Sequence, residues 1–248
     1  MYEGPDAQGD EKIFVLGNGP SRKNIDLSKL DGTVIGCNAI YRDFTPDVIC
    51  AHDAGIISDI INSGFDGNCY FTHDSWNLLP AHAKPSISNG FEHETKRYQD
   101  CDQFVFLSGL DKNVEKPQTY IIWVPKQMEH KIKNIGTEML TDSHDKIAGW
   151  STGTSALHIA CRDYTWNDYE RVYLLGFDHD NDYYDNIYTD TEHYFGKDRY
   201  MKRDYSRWTR QVINIAKNHP CIQFIWVNYC GDNFPDVPNL FSKDEKEI

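Results

Sequence analysis

The chain has 248 residues, 40% hydrophobic and 13% aromatic, enough to bury a sizeable core and too apolar for wholesale disorder. Its 38 acidic against 25 basic residues give a formal net charge of −13. That charge excludes indiscriminate binding to nucleic acid or anionic membrane through the whole surface, though not a local basic site. No apolar run is long enough to span a membrane, and residues 1–12 are polar and acidic with no hydrophobic signal region, so a soluble, cytoplasmic protein is expected. Seven cysteines stand at 37, 50, 69, 101, 161, 221 and 230. The number is odd, none form a Cys-x-x-Cys pair, and several lie inside apolar runs, which reads as reduced, mostly buried thiols.

The first strand is predicted over 13–16 and runs into Gly17-Asn18-Gly19-Pro20-Ser21. Glycines permit positive φ and close backbone approach, an asparagine offers amide donor and acceptor, and a serine can cap the next element. In open α/β sheets, ligands bind at that end of the strands. The same five residues are also good chemistry for a plain surface turn. A second strand over 33–37 ends at Asn38, and a third over 48–51 ends at His52-Asp53. These polar groups at successive strand ends are candidates for a base, ribose or phosphate, or else caps for the next turn. Further strands are predicted over 69–72, 103–107, 120–124, 172–176 and 222–227. Most are near-continuous in β-branched and aromatic residues, as strands buried on both faces are.

A helix is predicted over 151–164, with Ala156, Leu157, Ala160 and Cys161 on one face. It opens with Ser151-Thr152-Gly153-Thr154-Ser155, whose free N–H groups suit a phosphate or carboxylate; an ordinary Ser/Thr cap is the alternative. After the strand at 172–176 come Asp178, His179 and Asp180, then Tyr183, Tyr184 and Tyr188. The Asp-x-Asp pair could hold Mg²⁺ or Mn²⁺ between diphosphate oxygens, or be a solvated acidic loop. A phenol donates a hydrogen bond to a departing phosphate without carrying charge. His193 stands ahead of a second predicted helix (199–219) and is a candidate general base. Residues 196–217 carry seven basic against two acidic side chains, a local basic face suited to a phosphate-rich ligand.

Strands alternating with helices predict an α/β, Rossmann-like fold with a mostly parallel, doubly wound sheet. One domain is expected over 1–238, with a lid or insertion near 75–145 and a frayed, charged tail at 239–248.

In their order, Gly17-Asn18-Gly19-Pro20-Ser21, Cys37-Asn38-x-x-Tyr41, Thr152-Gly153-Thr154, Gly176-Phe177-Asp178 and His193-Tyr194 resemble the bacterial sialyltransferases of the Campylobacter type, glycosyltransferase family 42. The resemblance covers about 13–57 and 150–229. It implies transfer of a sugar from a CMP- or UDP-linked donor to an acceptor hydroxyl, without a metal. Asn18 and Asn38 would contact the donor nucleotide, and Tyr183, Tyr184 or Tyr188 would assist departure of the phosphate. His193 would deprotonate the acceptor. The chain departs from that pattern at His52-Asp53 and at Asp178-x-Asp180. Its style also resembles reading frames of large tailed phages, which implies a hydroxymethylated DNA base beside a glycan as acceptor.

The expected donor site is therefore Gly17, Asn18, Gly19, Pro20, Ser21, Asn38, His52, Asp53, Thr152, Gly153, Thr154 and Ser155. The expected catalytic groups are His193, the three tyrosines and Asp178, with Asp178 and Asp180 as metal ligands if a metal takes part. Two other functions stay open. One is a Mg²⁺-dependent diphosphotransferase resembling pterin pyrophosphokinases, and the other a non-catalytic nucleotide-binding module. The oligomeric state is left open.

Overall fold

The computed structural model describes residues 12–83, 102–108, 118–124, 151–165, 170–179, 186–194 and 206–248. Nine strands form one sheet: β1 (Lys12–Leu16), β2 (Thr33–Cys37), β3 (Val48–Ala51), β4 (Asn68–Thr72), β5 (Asp102–Ser108), β6 (Gln118–Val124), β7 (Arg171–Leu175), β8 (Gln223–Val227) and β9 (Leu240–Lys243). Their order across the sheet is β6-β5-β4-β3-β2-β1-β7-β8-β9. The seven strands from β4 to β9 in that order run parallel, and β5 and β6 add an antiparallel pair at the β4 edge. This is a Rossmann-like, doubly wound sheet.

The central strands are buried on both faces, and alternation along each assigns its side chains to two cores. Ile13 and Val15 face one side with Ile35, Val48, Cys50, Val172, Leu174 and Trp226. Phe14 and Leu16 face the other with Val34, Ile49, Ala51, Tyr173 and Leu175. Val15 is registered with Ile35 of β2 and Leu174 of β7, so β1 is the centre of both layers. Helix α1 (Ala54–Ser63) covers the second face with Ile56, Ile57 and Ile60, and stops where Gly64 turns left-handed at φ 78°. A short α2 (His73–Leu78) follows β4. Helix α3 (Thr152–Ile159) covers the first face and continues as a π-helical turn, Ala160–Tyr164. The expected apolar stripe of Ala156, Leu157, Ala160 and Cys161 is buried there. Helix α4 (Ser206–Asn218) adds Val212, Ile215 and Ala216 to the same core. Each fully buried aliphatic chain contributes about 1.5–3 kcal/mol.

The tail expected to fray instead forms β9, which pairs with β8 from Phe224↔Leu240 to Val227↔Lys243. Asp244 and Glu247 then close a capping box over the last turn. Leu240 alone is buried in this strand, too short an apolar signal to stand out among charged neighbours. Six described cysteines are free. Cys37, Cys50, Cys69 and Cys161 are buried, while Cys221 and Cys230 are exposed.

The chain lays β1 to β4 outward on one side of β1 and β7 to β9 on the other, so the loops after β1 and β7 part at a switch point. There they nearly touch. Gly17 N–H donates to Leu175 O at 2.8 Å and Gly19 N–H to Gly176 O at 3.0 Å. A Cβ on Gly17 would lie 2.4 Å from Gly176 O. Gly17→Ala is expected to cost about 1–3 kcal/mol by forcing the two loops apart; urea unfolding of the variant against the wild type checks it.

Candidate active site at the carboxyl rim of the sheet

Parallel strands deliver their carboxyl ends to one rim, and the predicted strand-end residues lie along it. Asn18 follows β1, and its Nδ2 donates to Cys37 O at 3.0 Å, stitching the β1 loop to the end of β2. Asn38 opens a 3-10 turn, Asn38–Arg42, at φ 50°. Its Nδ2 donates to Thr152 Oγ1 at 3.2 Å, which joins the β2 end to the start of α3. Its Oδ1 is buried with no hydrogen-bond partner among the described residues. Ser21 N–H donates to Asp178 Oδ2 at 2.8 Å, while the Ser21 hydroxyl oxygen is likewise buried without a partner.

Sequence alone points to positive φ or close ligand approach at glycines 17 and 19. Gly176 is a left-handed glycine in this loop pair (φ 71°), whereas Gly19 is extended at φ −71°. A Cβ on Gly19 would lie 2.2 Å from Asp178 Oδ2. These glycines therefore admit the neighbouring protein loop. Pro20 begins the 3-10 turn Pro20–Arg22.

At α3, Ser151 Oγ accepts from Thr154 N–H at 3.1 Å, the ordinary cap. The Thr154 hydroxyl donates to Gln211 Oε1 of α4 at 2.7 Å, and Thr154 and Ser155 are buried. Thr152 lies on the Asn38 side of the helix start, while Gly153 faces the Phe177 ring, and the first-turn N–H groups lack intrahelical partners as in any helix.

The residue that sequence reading missed is Arg22. It is 3% exposed. Its Nε donates to Gly17 O at 2.6 Å, and one terminal nitrogen to Asn18 Oδ1 at 3.3 Å and to the Tyr188 hydroxyl at 3.2 Å. Tyr188 in turn donates to Asp43 Oδ1. Burial, with the bond to Asp43 adding to it, raises the Tyr188 phenol above its ordinary value, so it stays a neutral donor. Tyr188 thus lies inside the rim, with its hydroxyl shared between Arg22 and Asp43. A basic residue in a polar turn and an acidic one after a 3-10 turn carry no sequence signal for this partnership. Asp180, Tyr183 and Tyr184 lie outside the described residues, as do most of the basic residues at 196–217.

His193 sits after β3 in space. It is left-handed (φ 65°), and its ring packs over Gly55 near the start of α1. Its Nε2 is 3.2 Å from Asp59 Oδ2. Arg42 secures this loop by donating to Glu192 O at 3.1 Å and Thr191 Oγ1 at 2.9 Å. Asp53 is the N-cap residue of α1, but its side chain makes no capping bond. His52 contributes its carbonyl to Thr72 Oγ1 at 3.2 Å. Among the described residues, no three His, Cys, Asp or Glu side chains gather as a metal site, and no helix is long and apolar enough to cross a membrane.

No protein-family model and no curated protein matches the chain. Solved structures do show a distant likeness. A variant of the sialyltransferase CST-II in complex with CMP is 16% identical over 87% of this chain and 81% of that one, with a TM-score of 0.46. CstII from Campylobacter jejuni in complex with cytidine-5'-monophosphate is 16% identical over 87% and 79%, with a TM-score of 0.42. CST-II with a trisaccharide acceptor and CMP is 17% identical over 87% and 80%, with a TM-score of 0.40.

Among the described residues, three histidines stay neutral well below their ordinary range. Burial pushes His52 and His158 down to about 4 and His179 to about 3; for His158, Arg162 and His219 add to burial and Asp163 opposes it. The unfolded chain takes up these protons near pH 6.5, the folded chain only near pH 3–4, so stability falls as pH drops through that window. Stability is expected to decline steadily from pH 6.5 to pH 4, and thermal melts read this as a falling Tm. A Tm unchanged across that interval would contradict the buried neutral state.

Proposed function

We propose that the chain is a glycosyltransferase that moves a sugar from a CMP- or UDP-linked donor to an acceptor hydroxyl. Asn38 carries the reading. It combines a left-handed backbone with a buried, unpaired amide oxygen, two costs of about 1–3 kcal/mol each at one residue. Both fall where the β2 end meets the start of α3, beside the switch point. A ribose hydroxyl or a base N–H would supply the missing donor, and the Ser21 hydroxyl offers a second contact. The first-turn N–H groups of α3 favour the adjoining phosphate. The ordered motifs shared with the sialyltransferases support the same assignment.

In this reading His193 takes the proton of the acceptor hydroxyl as its oxygen attacks the anomeric carbon. The bond to the nucleotide phosphate breaks, and the electron pair leaves with the phosphate. Arg22, Tyr188 and Asp43 hold the β1 loop in shape, and Tyr183 or Tyr184 donates to the departing phosphate. No metal is required. The acceptor is a glycan or a hydroxymethylated base.

A panel of CMP, UDP, GDP and ADP sugars, with and without Mn²⁺, tests the donor. CMP or UDP sugars are expected to raise the Tm without metal, and Asn38→Ala to remove the shift. Stabilisation by ATP and Mg²⁺ alone would favour diphosphate transfer instead. For His193→Ala, kcat is expected to fall about 10²–10⁴-fold while donor Kd changes less than about twofold; equal losses in both would count against the base.

A further inference from the structure

Helix α1 does two things for His193. Gly55 gives the imidazole a seat: a Cβ there would lie 2.6 Å from both Cε1 and Nδ1. Four residues later, on the same face, Asp59 holds the opposite side of the ring, with Oδ2 3.2 Å from Nε2. The same carboxylate oxygen is 3.3 Å from a terminal nitrogen of Arg42. Arg42 also donates to Glu192 O and Thr191 Oγ1, so one guanidinium fixes both the carboxylate and the loop that carries the histidine. The ring remains about one-third exposed, with its side chain at 34%.

A neutral imidazole carries its proton on one nitrogen and a lone pair on the other, and the hydrogen bond made by the first decides which is which. A carboxylate can only accept. We propose that Asp59 is the positioning residue of this site: it accepts Nε2–H from His193, leaving the lone pair on Nδ1, and Nδ1 takes the acceptor's proton. The inference rests on the glycosyltransferase reading. In the step, the acceptor O–H bond breaks and its proton passes to Nδ1. The oxygen bonds to the anomeric carbon, and the nucleotide phosphate leaves with the electron pair. The imidazolium that results is stabilised by Asp59 until it releases its proton to solvent. Among the described residues, Asp53 at the start of α1 interacts electrostatically with His193, Tyr41 with Arg42 and Asp59, and Tyr194 with Arg42.

The full chain, labelled with ¹⁵N-histidine and observed by long-range ¹H–¹⁵N spectroscopy above the histidine titration, reports the tautomer without substrate. His193 is expected as Nε2–H in the wild type and as a mixture in Asp59→Ala. Asp59→Asn keeps an oxygen acceptor but removes the charge. Turnover should fall about tenfold with donor KM changed less than about twofold. A wild-type ring protonated at Nδ1, or an Asp59→Asn turnover equal to that of the wild type, would overturn the assignment of Asp59 alone. A wild type that turns over no donor sugar would overturn the transferase reading and the proton step with it.

Discussion

A guanidinium that cannot shed its charge is buried at the centre of this rim. Arg22 is satisfied by Gly17 O, Asn18 Oδ1 and the Tyr188 hydroxyl, with the Tyr188 ring 6.0 Å from its carbon. Tyr188 relays the arrangement to Asp43. Removing one of these neutral partners costs about 1.5–3 kcal/mol, because it withdraws a hydrogen bond from a buried charge. The requirement ties together the loop after β1, the turn after β2 and the segment 186–194, three pieces far apart in the chain. It also fixes Asn18. Since Arg22 can only donate, the Asn18 oxygen must face it, and the nitrogen is left for Cys37 O.

The rim then divides into groups already committed to the protein and groups still open. Asn18, Asp178, Thr154 and Tyr188 hold neighbouring loops. Asn38 Oδ1 and Ser21 Oγ have no partner among the described residues, and both are shut away from water. A folded protein tolerates such atoms where something else completes them. Their position at the switch point, beside the first turn of α3, is where open parallel sheets admit ligands. The proposed donor contacts thus fall on polar atoms that folding leaves unused.

The strands were legible because each is a short apolar run buried on both faces, a pattern that needs no knowledge of its partners. Asn18, Asn38 and Asp178 were legible because they stand where such runs end. What was not legible depends on long-range pairing. Arg22 in Pro20-Ser21-Arg22-Lys23 reads as a solvated turn, and only Tyr188, 166 residues later, shows otherwise. Asp43 lies 145 residues from the same tyrosine. Asp59 looks like the polar face of α1 until the loop at 193 closes over it. Strand β9 was missed for a related reason: its stability comes from the exposed edge of β8, and its own side chains are mostly polar.

The glycines show how one sequence signal can have two physical causes. A glycine-rich turn after a first strand is read as room for a ligand's phosphates. Here the same absence of side chains is used by protein atoms, with Gly176 O against Gly17, Asp178 against Gly19 and the His193 ring against Gly55. In each case two rim segments approach more closely than a Cβ would allow, and the gap between them narrows. A tight rim keeps water from the open polar atoms of Asn38 and Ser21, which makes any bond they form to a ligand stronger. The glycines thereby act through the shape of the rim, and Gly55 in the same way decides where the His193 ring can rest.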